Sequence, residues 1–543
     1  MEKNLFLQPF NKFFRKMKVI LYSLIATFSI SAVAQDTTSR YTKKIPLTEN
    51  ELQRWSHLDL EKDSIPGMSV DKAYSELLKD KKGTKVIVAV IDSGVDIDHP
   101  DLKGAIWTNP KEIANNKKDD DKNGYVDDIH GWNFLGDSYD ETLEMTRILK
   151  KGDDGSETYK KALADHTAEY KKMMSYKQPV DMLYEADKTI REELKIDDYT
   201  LEELKNVASV KYKLYQSKSI LLAYAADVGE KFREDLTSFK DHVYGNLNYK
   251  LNKDFDGRKV VGDNPEDFND RKYGNNKVYG SNKENTEHGT HVAGIIAQKR
   301  NNNIGGDGVA NNVEIMAIRA VPNGDEYDKD IALAIRYAVD NGAKVINGSF
   351  GKDFSPHAEW VWEALKYAES KDVLFVHAAG NDGKDIDVEP NFPTDSKDKN
   401  TEIVSNFLQI GALNYEYGEK IIADFSNYGT KNVDIFAPGV KIYATLPNGK
   451  YKYLQGTSMA SPNAAGVAAL IRSHYPNLKA SQVKEIIMQS GTPIDMVVKV
   501  GENGEKRNFS EASVSGKIVN AYNALKMAEE VSKQPTMEKK IKT

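Results

Sequence analysis

Three short segments carry the side chains best suited to chemistry. Asp92 lies in AVIDSGVDIDHPDL directly after an apolar run, His288 lies in EHGTHVAG, and Ser458 lies in GTSMASPNAAG. A serine hydroxyl can attack an acyl carbon when a base takes its proton, and histidine suits that task near neutral pH. A buried carboxylate would fix the imidazole tautomer and stabilise the imidazolium. The three segments together predict acyl transfer, with carboxylate, base and nucleophile in the order Asp92, His288, Ser458.

Each of these residues also has an ordinary structural interpretation. An aspartate after a strand is usually a turn residue or a helix cap, and a histidine at a helix start is often a cap or a packed ring. The sequence GTS before small residues is a common helix start. The conjunction of three long strings in this order favours the chemical interpretation.

A fourth candidate, Asn381, lies in AAGNDG after a strand-like run that ends in small residues. Its side-chain amide and the backbone N–H of Ser458 would form the pair of donors that a tetrahedral oxyanion needs. A left-handed turn before Gly383 is the alternative.

The elements that must position these residues alternate between strand-like and helix-like segments. Continuous apolar runs indicate strands buried on both faces, and they alternate with helical patterns, which predicts an α/β domain around a mostly parallel sheet. The strand-like runs are 86–91, 344–347, 373–376 and, more weakly, 433–436, and the clearest helical ones are 330–339 and 464–473.

These strings resemble the subtilisin-like (subtilase) serine proteases, over roughly residues 60–135 and 286–530. The resemblance implies a three-layer fold, with a mostly parallel central sheet flanked by helices, and a serine endopeptidase acting on polypeptides. It assigns catalytic roles to Asp92, His288, Ser458 and Asn381. It also implies two walls of a substrate pocket, formed by Ser349, Phe350 and Gly351 on one side and by Ala378, Ala379 and Gly380 on the other.

Asp92 and His288 are 196 positions apart, where the family usually has a few tens. Residues 136–245 are rich in Lys, Glu, Tyr and Leu, and an apolar stripe from Tyr159 to Met173 indicates a helix. We therefore expect a large helical insertion at 136–245, which could bind a partner, within a catalytic domain formed by 61–135 and 246–530. Residues 35–60 form a short N-terminal segment and 531–543 a polar tail.

The amino terminus has the pattern of a secretory signal peptide. A lysine-rich head precedes the apolar run 19–34, which ends in Ala32-Val33-Ala34. A retained membrane anchor is the alternative, but the run is short for a span. We expect cleavage of residues 1–34, export to the periplasm or the exterior, and no stable membrane span afterwards.

Composition excludes several classes of protein. The chain of 543 residues has no cysteine, which excludes a disulfide scaffold and a thiol nucleophile. A formal charge of −7 gives no reason to expect a nucleic-acid partner.

Two loops are candidate sites for structural calcium, the only cofactor expected. The segment KDDDKNGYVDD places oxygen ligands at the spacing of an EF-hand-type loop, although an acidic solvated turn is the alternative. Its candidate ligands are Asp119, Asp121, Asn123, the carbonyl of Tyr125, Asp127 and Asp128. By the family resemblance, the loop 300–310 would bind a second calcium through Asn302 and the carbonyls of Ile304 and Gly306, together with Asp101.

The sequence therefore favours an exported serine endopeptidase that works through an acyl-enzyme. The competing hypothesis is a catalytically silent, peptide-binding scaffold of the same fold. A binding role would not require all four catalytic candidates, which favours the enzyme.

Overall fold

The computed structural model describes residues 41, 43, 45–208 and 211–534. The predicted signal peptide and residues 535–543 of the predicted tail lie outside these residues. The described chain divides into two compact units, one formed by residues 45–139 and 257–534 and the other by residues 140–256. No helix within the described ranges combines the length and the apolar character that crossing a membrane requires.

The first unit contains the thirteen strands of the described chain. They are β1 Val86–Asp92, β2 Gly131–Asn133, β3 Val313–Arg319, β4 Val345–Gly348, β5 Leu374–Ala378, β6 Phe407–Leu413, β7 Ile435–Pro438, β8 Ile442–Leu446, β9 Lys450–Leu454, β10 Thr492–Pro493, β11 Val497–Val500, β12 Glu505–Asn508 and β13 Lys517–Ile518. Nine of them form one sheet in the order β10-β13-β7-β6-β5-β4-β1-β3-β2. All neighbouring pairs in this sheet are parallel except β10 with β13.

The α-helices are numbered here in chain order across both units. They are α1 Glu49–Arg54, α2 Leu60–Asp63, α3 Val70–Glu76, α4 Glu144–Lys151, α5 Glu157–Leu194, α6 Leu201–Asn206, α7 Tyr212–Val228, α8 Phe232–Gly245, α9 Arg258–Val261, α10 Glu287–Ala297, α11 Asp328–Asp340, α12 Ala358–Ser370, α13 Thr457–His474, α14 Ala480–Ser490 and α15 Ala521–Ser532. Helices α4 to α8 belong to the second unit.

Both faces of the large sheet are covered, which explains its continuous apolar strands. Ala89 and Ile91 of β1 belong to a core that includes side chains of α11 and α12. Val88 and Val90 point to the opposite face and are also fully buried. Helices α10 and α13 pack against the sheet as well. The expected three-layer α/β fold with a mostly parallel central sheet is confirmed.

The second unit has its own hydrophobic core, and its described elements are helices. Helix α5 runs for 38 residues, and α6 begins with the expected capping box of Thr200 and Glu203. The apolar stripe predicted on α5 is only partly buried, since Leu163 and Tyr170 are 46% and 43% exposed. Met173 of the predicted stripe is buried, and so is Ala162 beside the stripe, so the helix was predicted correctly and its buried face only in part.

Candidate active site

Asp92 and His288 meet at the carboxyl edge of the sheet. Asp92 is the last residue of β1 and is 1% exposed, whereas His288 is the second residue of α10. His288 Nδ1 donates to Asp92 Oδ1 at 2.7 Å, and the N–H of Ser93 donates to the same oxygen at 2.7 Å. A proton held on Nδ1 leaves Nε2 of His288 able to accept another. The geometry is that of a carboxylate orienting a base.

A glycine allows this close approach of helix and strand. A Cβ atom at Gly289 would lie 2.1 Å from the carbonyl oxygen of Gly94 and 3.1 Å from Asp92 Oδ1. Any other residue at position 289 would push the start of α10 away from the end of β1. The glycine of the EHGTH string is therefore a packing requirement of the Asp92–His288 pair.

Ser458 lies in the first turn of the long helix that packs against α10 and β1. It is the second residue of α13, and its preceding Gly456 has a φ of 149°. Ser458 Oγ donates to the carbonyl of Ser349 at 3.3 Å, while Ser349 Oγ donates to the carbonyl of Ser458 at 2.9 Å. His288 and Ser458 both lie in the first turns of helices that pack against each other.

Asn381 follows β5 and is oriented by the residue before Ser458. Its Oδ1 accepts hydrogen bonds from Thr457 N at 2.8 Å and Thr457 Oγ1 at 2.9 Å. These bonds fix which end of the amide is the oxygen, and they leave Nδ2 as a donor. The N–H of Ser458 lies in the first turn of α13 and has no acceptor within its helix. Asn381 Nδ2 and the N–H of Ser458 therefore lie at the same helix start and are the two candidate donors for an oxyanion.

The predicted pocket residues lie at the ends of the neighbouring strands β4 and β5. Ser349, Phe350 and Gly351 follow β4, and Ala378 ends β5. The Phe350 side chain is fully buried in the core, and its carbonyl faces His377 Nε2 at 2.7 Å. Its ring therefore does not line a pocket. Gly351 is half-buried, and neither its N–H nor its carbonyl makes a hydrogen bond to another described residue.

In the second predicted wall, the backbone groups of Ala379 and Gly380 form hydrogen bonds to other residues of the protein. Ala379 N donates to the Ile410 carbonyl at 2.9 Å, and Gly380 N donates to Thr457 Oγ1 at 3.1 Å. The carbonyls of Ala379 and Gly380 both accept hydrogen bonds from Asn427, at 2.8 Å and 3.0 Å. Asn427 was not identified from the sequence, because nothing in its spacing marks it as a neighbour of position 380.

The first candidate calcium loop brings two of its predicted ligands together. Oxygen atoms of Asp119, Asp121 and Glu112 lie within 4.8 Å of one another. Hard cations prefer such carboxylate sets, so these residues fit calcium. Glu112 was missed because it precedes the acidic run, and its only signal was a carboxylate a few positions upstream.

The remaining predicted ligands of that loop make other contacts. The Asp127 carboxylate accepts from the N–H groups of Asn116 and Lys117, at 3.1 Å and 2.8 Å. Asp128 accepts from Tyr337 Oη at 2.5 Å, and burial raises the pKa of Asp128 to about 6. Asn123 Oδ1 accepts from Tyr125 N at 2.8 Å, and the Tyr125 ring packs against Tyr337.

The second loop fits a cation less well. Asp101 is fully buried, and burial raises its pKa. Asn302 approaches it with the amide nitrogen, since Nδ2 donates to Asp101 Oδ1 at 2.5 Å. Asn302 Oδ1 instead accepts from Ile304 N at 3.1 Å, and Gly306 N points to the side chain of Gln298. A buried carboxylate suits a cation, but a donating amide does not.

Comparison with known proteins gives consistent matches. The profile of the subtilase family matches residues 83–512. A thermophilic serine proteinase of Bacillus sp. (strain AK1) is 42% identical over 208 residues, which are 38% of this chain and 47% of that protein. Subtilisin DY of Bacillus licheniformis is 37% identical over 216 residues, which are 39% of this chain and 72% of that protein.

A solved structure, that of the prenylagaramide maturation protease PagA, aligns with 28% identity and a TM-score of 0.37, covering 45% of this chain and 82% of that one. The match to the thermophilic proteinase spans less than half of that relative's length. The family profile, in contrast, extends from just before β1 to beyond β12, and this chain belongs to the subtilase family.

Proposed function

We propose that this protein is an exported serine endopeptidase in which Asp92, His288 and Ser458 form the catalytic triad. The observation that carries the proposal is the 2.7 Å hydrogen bond from His288 to the buried Asp92, at the sheet edge where the first turn of α13 carries Ser458. Family membership and the names of the protease relatives support the same activity.

In the proposed reaction, Ser458 Oγ attacks the carbonyl carbon of a peptide bond while its proton moves to His288 Nε2. The carbonyl π electrons pass to the oxygen and give a tetrahedral oxyanion. When this intermediate collapses, the C–N bond breaks and His288 returns the proton to the leaving amine. Water, deprotonated by His288, then hydrolyses the acyl-enzyme in the same two steps. Asp92 stabilises the imidazolium in each half of the reaction.

The oxyanion would be bound by Asn381 Nδ2 and the N–H of Ser458. Thr457 holds the oxygen end of the Asn381 amide, so the donor end needs no reorganisation when charge develops. The N-terminus of α13 adds a favourable dipole at the same point.

The substrate would be an extended polypeptide. Gly351 offers an N–H and a carbonyl with no partner among the described residues, which is what an added peptide strand requires. Main-chain pairing tolerates many sequences, so we expect cleavage of unfolded proteins such as casein. Export rests on the N-terminal sequence pattern, structural calcium rests on the Glu112 cluster, and a partner on the helical insertion stays a prediction.

The test is covalent labelling with a fluorophosphonate probe together with casein hydrolysis. We expect the purified chain to be labelled once, at Ser458, and to cleave casein, and we expect Ser458→Ala to lose both. Ser461→Ala is the matched control, because Ser461 lies one turn along the same helix and is also buried. A folded wild-type protein that neither reacts with the probe nor cleaves casein would refute the enzyme and favour the peptide-binding scaffold.

A further inference from the structure

We infer that Asn427 is a positioning residue that sets the location of Asn381 and hence of the oxyanion donor. The inference rests on the proposed function and adds to it a residue outside the catalytic strings. Asn427 is 1% exposed and lies between β6 and β7, 46 positions after Asn381.

The side chain of Asn427 binds the backbone on both sides of Asn381. Its Nδ2 donates to the Ala379 carbonyl at 2.8 Å. Its Oδ1 accepts from Asp382 N at 3.2 Å and from Lys384 N at 2.9 Å. One planar amide therefore spans the turn that carries the donor, and it contacts that turn before and after position 381.

Gly380 is adapted to this contact. Its φ is +101°, which favours glycine, and a Cβ atom there would lie 2.4 Å from Asn427 Nδ2. The backbone of the turn can approach the Asn427 amide only because residue 380 has no side chain. The absence of a side chain at residue 380 and the position of the Asn427 amide therefore depend on each other.

Asn427 acts on Asn381 only through the backbone. The side-chain oxygen of Asn381 is bound by Thr457, so Thr457 sets the orientation of the amide while Asn427 sets the position of its Cα. Backbone hydrogen bonds also join the two segments, from Gly383 N to the Phe425 carbonyl at 2.8 Å and from Tyr428 N to the Lys384 carbonyl at 3.0 Å. These bonds remain when the side chain is truncated, so the turn should persist but lose its exact placement.

Such a loss of placement has a defined catalytic effect. An oxyanion donor is effective at about 2.7–3.1 Å from the oxygen in the transition state, and a misplacement of about 1 Å can reduce the rate about 100-fold. Removing the donor itself reduces kcat by about 100- to 1,000-fold in proteases of this type. We therefore expect Asn427→Ala to lower kcat by about 10- to 100-fold, through Asn381.

The experiment is a double-mutant cycle on the full chain, with kcat and KM measured on a peptide p-nitroanilide. The variants are Asn427→Ala, Asn381→Ala and the double variant. Asn406→Ala is the control, because Asn406 is equally buried and donates to a backbone carbonyl, that of Val373, at the opposite end of β5. Circular dichroism and thermal unfolding of each variant report whether it folds.

We expect kcat of the double variant to lie within about threefold of Asn381→Ala alone, because Asn427 has no further effect once the donor is absent. Asn406→Ala should lower the unfolding temperature but leave kcat within about threefold of wild type. The inference is overturned if Asn427→Ala behaves like the control, or if its full loss of kcat persists in the Asn381→Ala background.

A second variant covers the case in which Asn427→Ala does not fold. Asn427→Asp keeps the size of the side chain and both accepted hydrogen bonds but cannot donate to Ala379. It should lower kcat at least about tenfold, again only when Asn381 is present, and an unchanged kcat refutes the inference. If the wild-type chain itself lacks hydrolytic activity and does not react with the probe, the proposed function fails and this inference with it. If the wild type is active and substitution of Asn427 leaves kcat unchanged, the inference alone is overturned.

Discussion

We predict that His377 makes the stability of the first unit sensitive to acid, by an amount that follows from its pKa. The ring is fully buried in β5, next to the predicted pocket wall, where Nε2 faces the Phe350 carbonyl at 2.7 Å and Nδ1 faces Gln409 Oε1 at 2.9 Å. Burial lowers the pKa of His377 from 6.5 to about 4 and outweighs the hydrogen bonds, which raise it. The folded protein therefore holds a neutral imidazole at pH values where an unfolded chain binds a proton.

The direction follows from proton linkage. Because the folded pKa is the lower one, the contribution of His377 to stability is complete above pH 6.5 and is lost as the pH falls towards 4. At 1.36 kcal/mol per pKa unit, a difference of about 2.5 units corresponds to about 3 kcal/mol. In His377→Asn nothing titrates at this position, so its free energy of unfolding should fall by about 3 kcal/mol less than that of the parent between pH 7.5 and 4.

The measurement is urea unfolding at several pH values in a Ser458→Ala background, which prevents self-digestion. Tryptophan fluorescence reports only the unit that contains His377, because all five tryptophans lie in residues 45–139 and 257–534. Phe407→Leu is the control: its ring lies 5.5 Å from His377, so it should weaken the same core without altering the pH dependence. His291 is also buried, with a pKa lowered to about 3, and contributes equally to parent and variant. Identical pH dependence in parent and His377→Asn would refute the reasoning.

Three further predictions concern the site and its supports. Asp92→Asn should lower kcat on a peptide anilide by about 10,000-fold with little change in unfolding temperature, since it leaves His288 without the carboxylate that selects its tautomer; a loss under tenfold would contradict the triad. Gly289→Ala should destabilise the fold by about 1–3 kcal/mol in urea unfolding and also lower kcat. The comparison is Gly245→Ala, which has open space around its Cβ and should stabilise its helix by about 0.5–1 kcal/mol; equal effects of the two variants would contradict this account. Calcium should raise the thermal unfolding midpoint of the Ser458→Ala protein. Glu112→Gln should reduce that rise, whereas the control Glu202→Gln, on the other unit, should not. A rise that Glu112→Gln leaves unchanged would exclude this calcium site.

The sequence predicted the structure best where the local hydrophobic pattern reflects burial against the sheet. The run 86–91 reads as a buried strand because both faces are packed, and the structure has a strand at Val86–Asp92. The helical pattern at 464–473 likewise lies within α13. Asp92 and Ser458 were predicted as site residues from strings at the ends of these elements, where parallel strands and helix starts gather polar groups.

Contacts between distant loops could not be read in this way. Asn427 lies in a loop with no periodicity, and its relation to Gly380 depends on how β5 and β6 are paired. Glu112 reaches Asp119 and Asp121 through a turn whose path the sequence does not specify. On α5, the buried face is decided by the neighbouring helices, so the apolar stripe included the buried Met173 but also the exposed Leu163, and it left out the buried Ala162.

The large separation of Asp92 and His288 is compatible with a rigid pair, because neither residue is positioned by the chain between them. Asp92 is fixed by the register of β1 with β3 and β4, and His288 by the packing of α10 on β1, where Gly289 sets the distance. Lengthening a connection adds little free energy, since each doubling of a flexible loop costs only about 0.6 kcal/mol. The intervening residues 140–256 also form a compact unit with a hydrophobic core of their own. That core offsets the conformational entropy lost when these residues fold. A separation of this size is therefore compatible with the site, because the sheet, and not the connecting segment, determines where Asp92 and His288 lie.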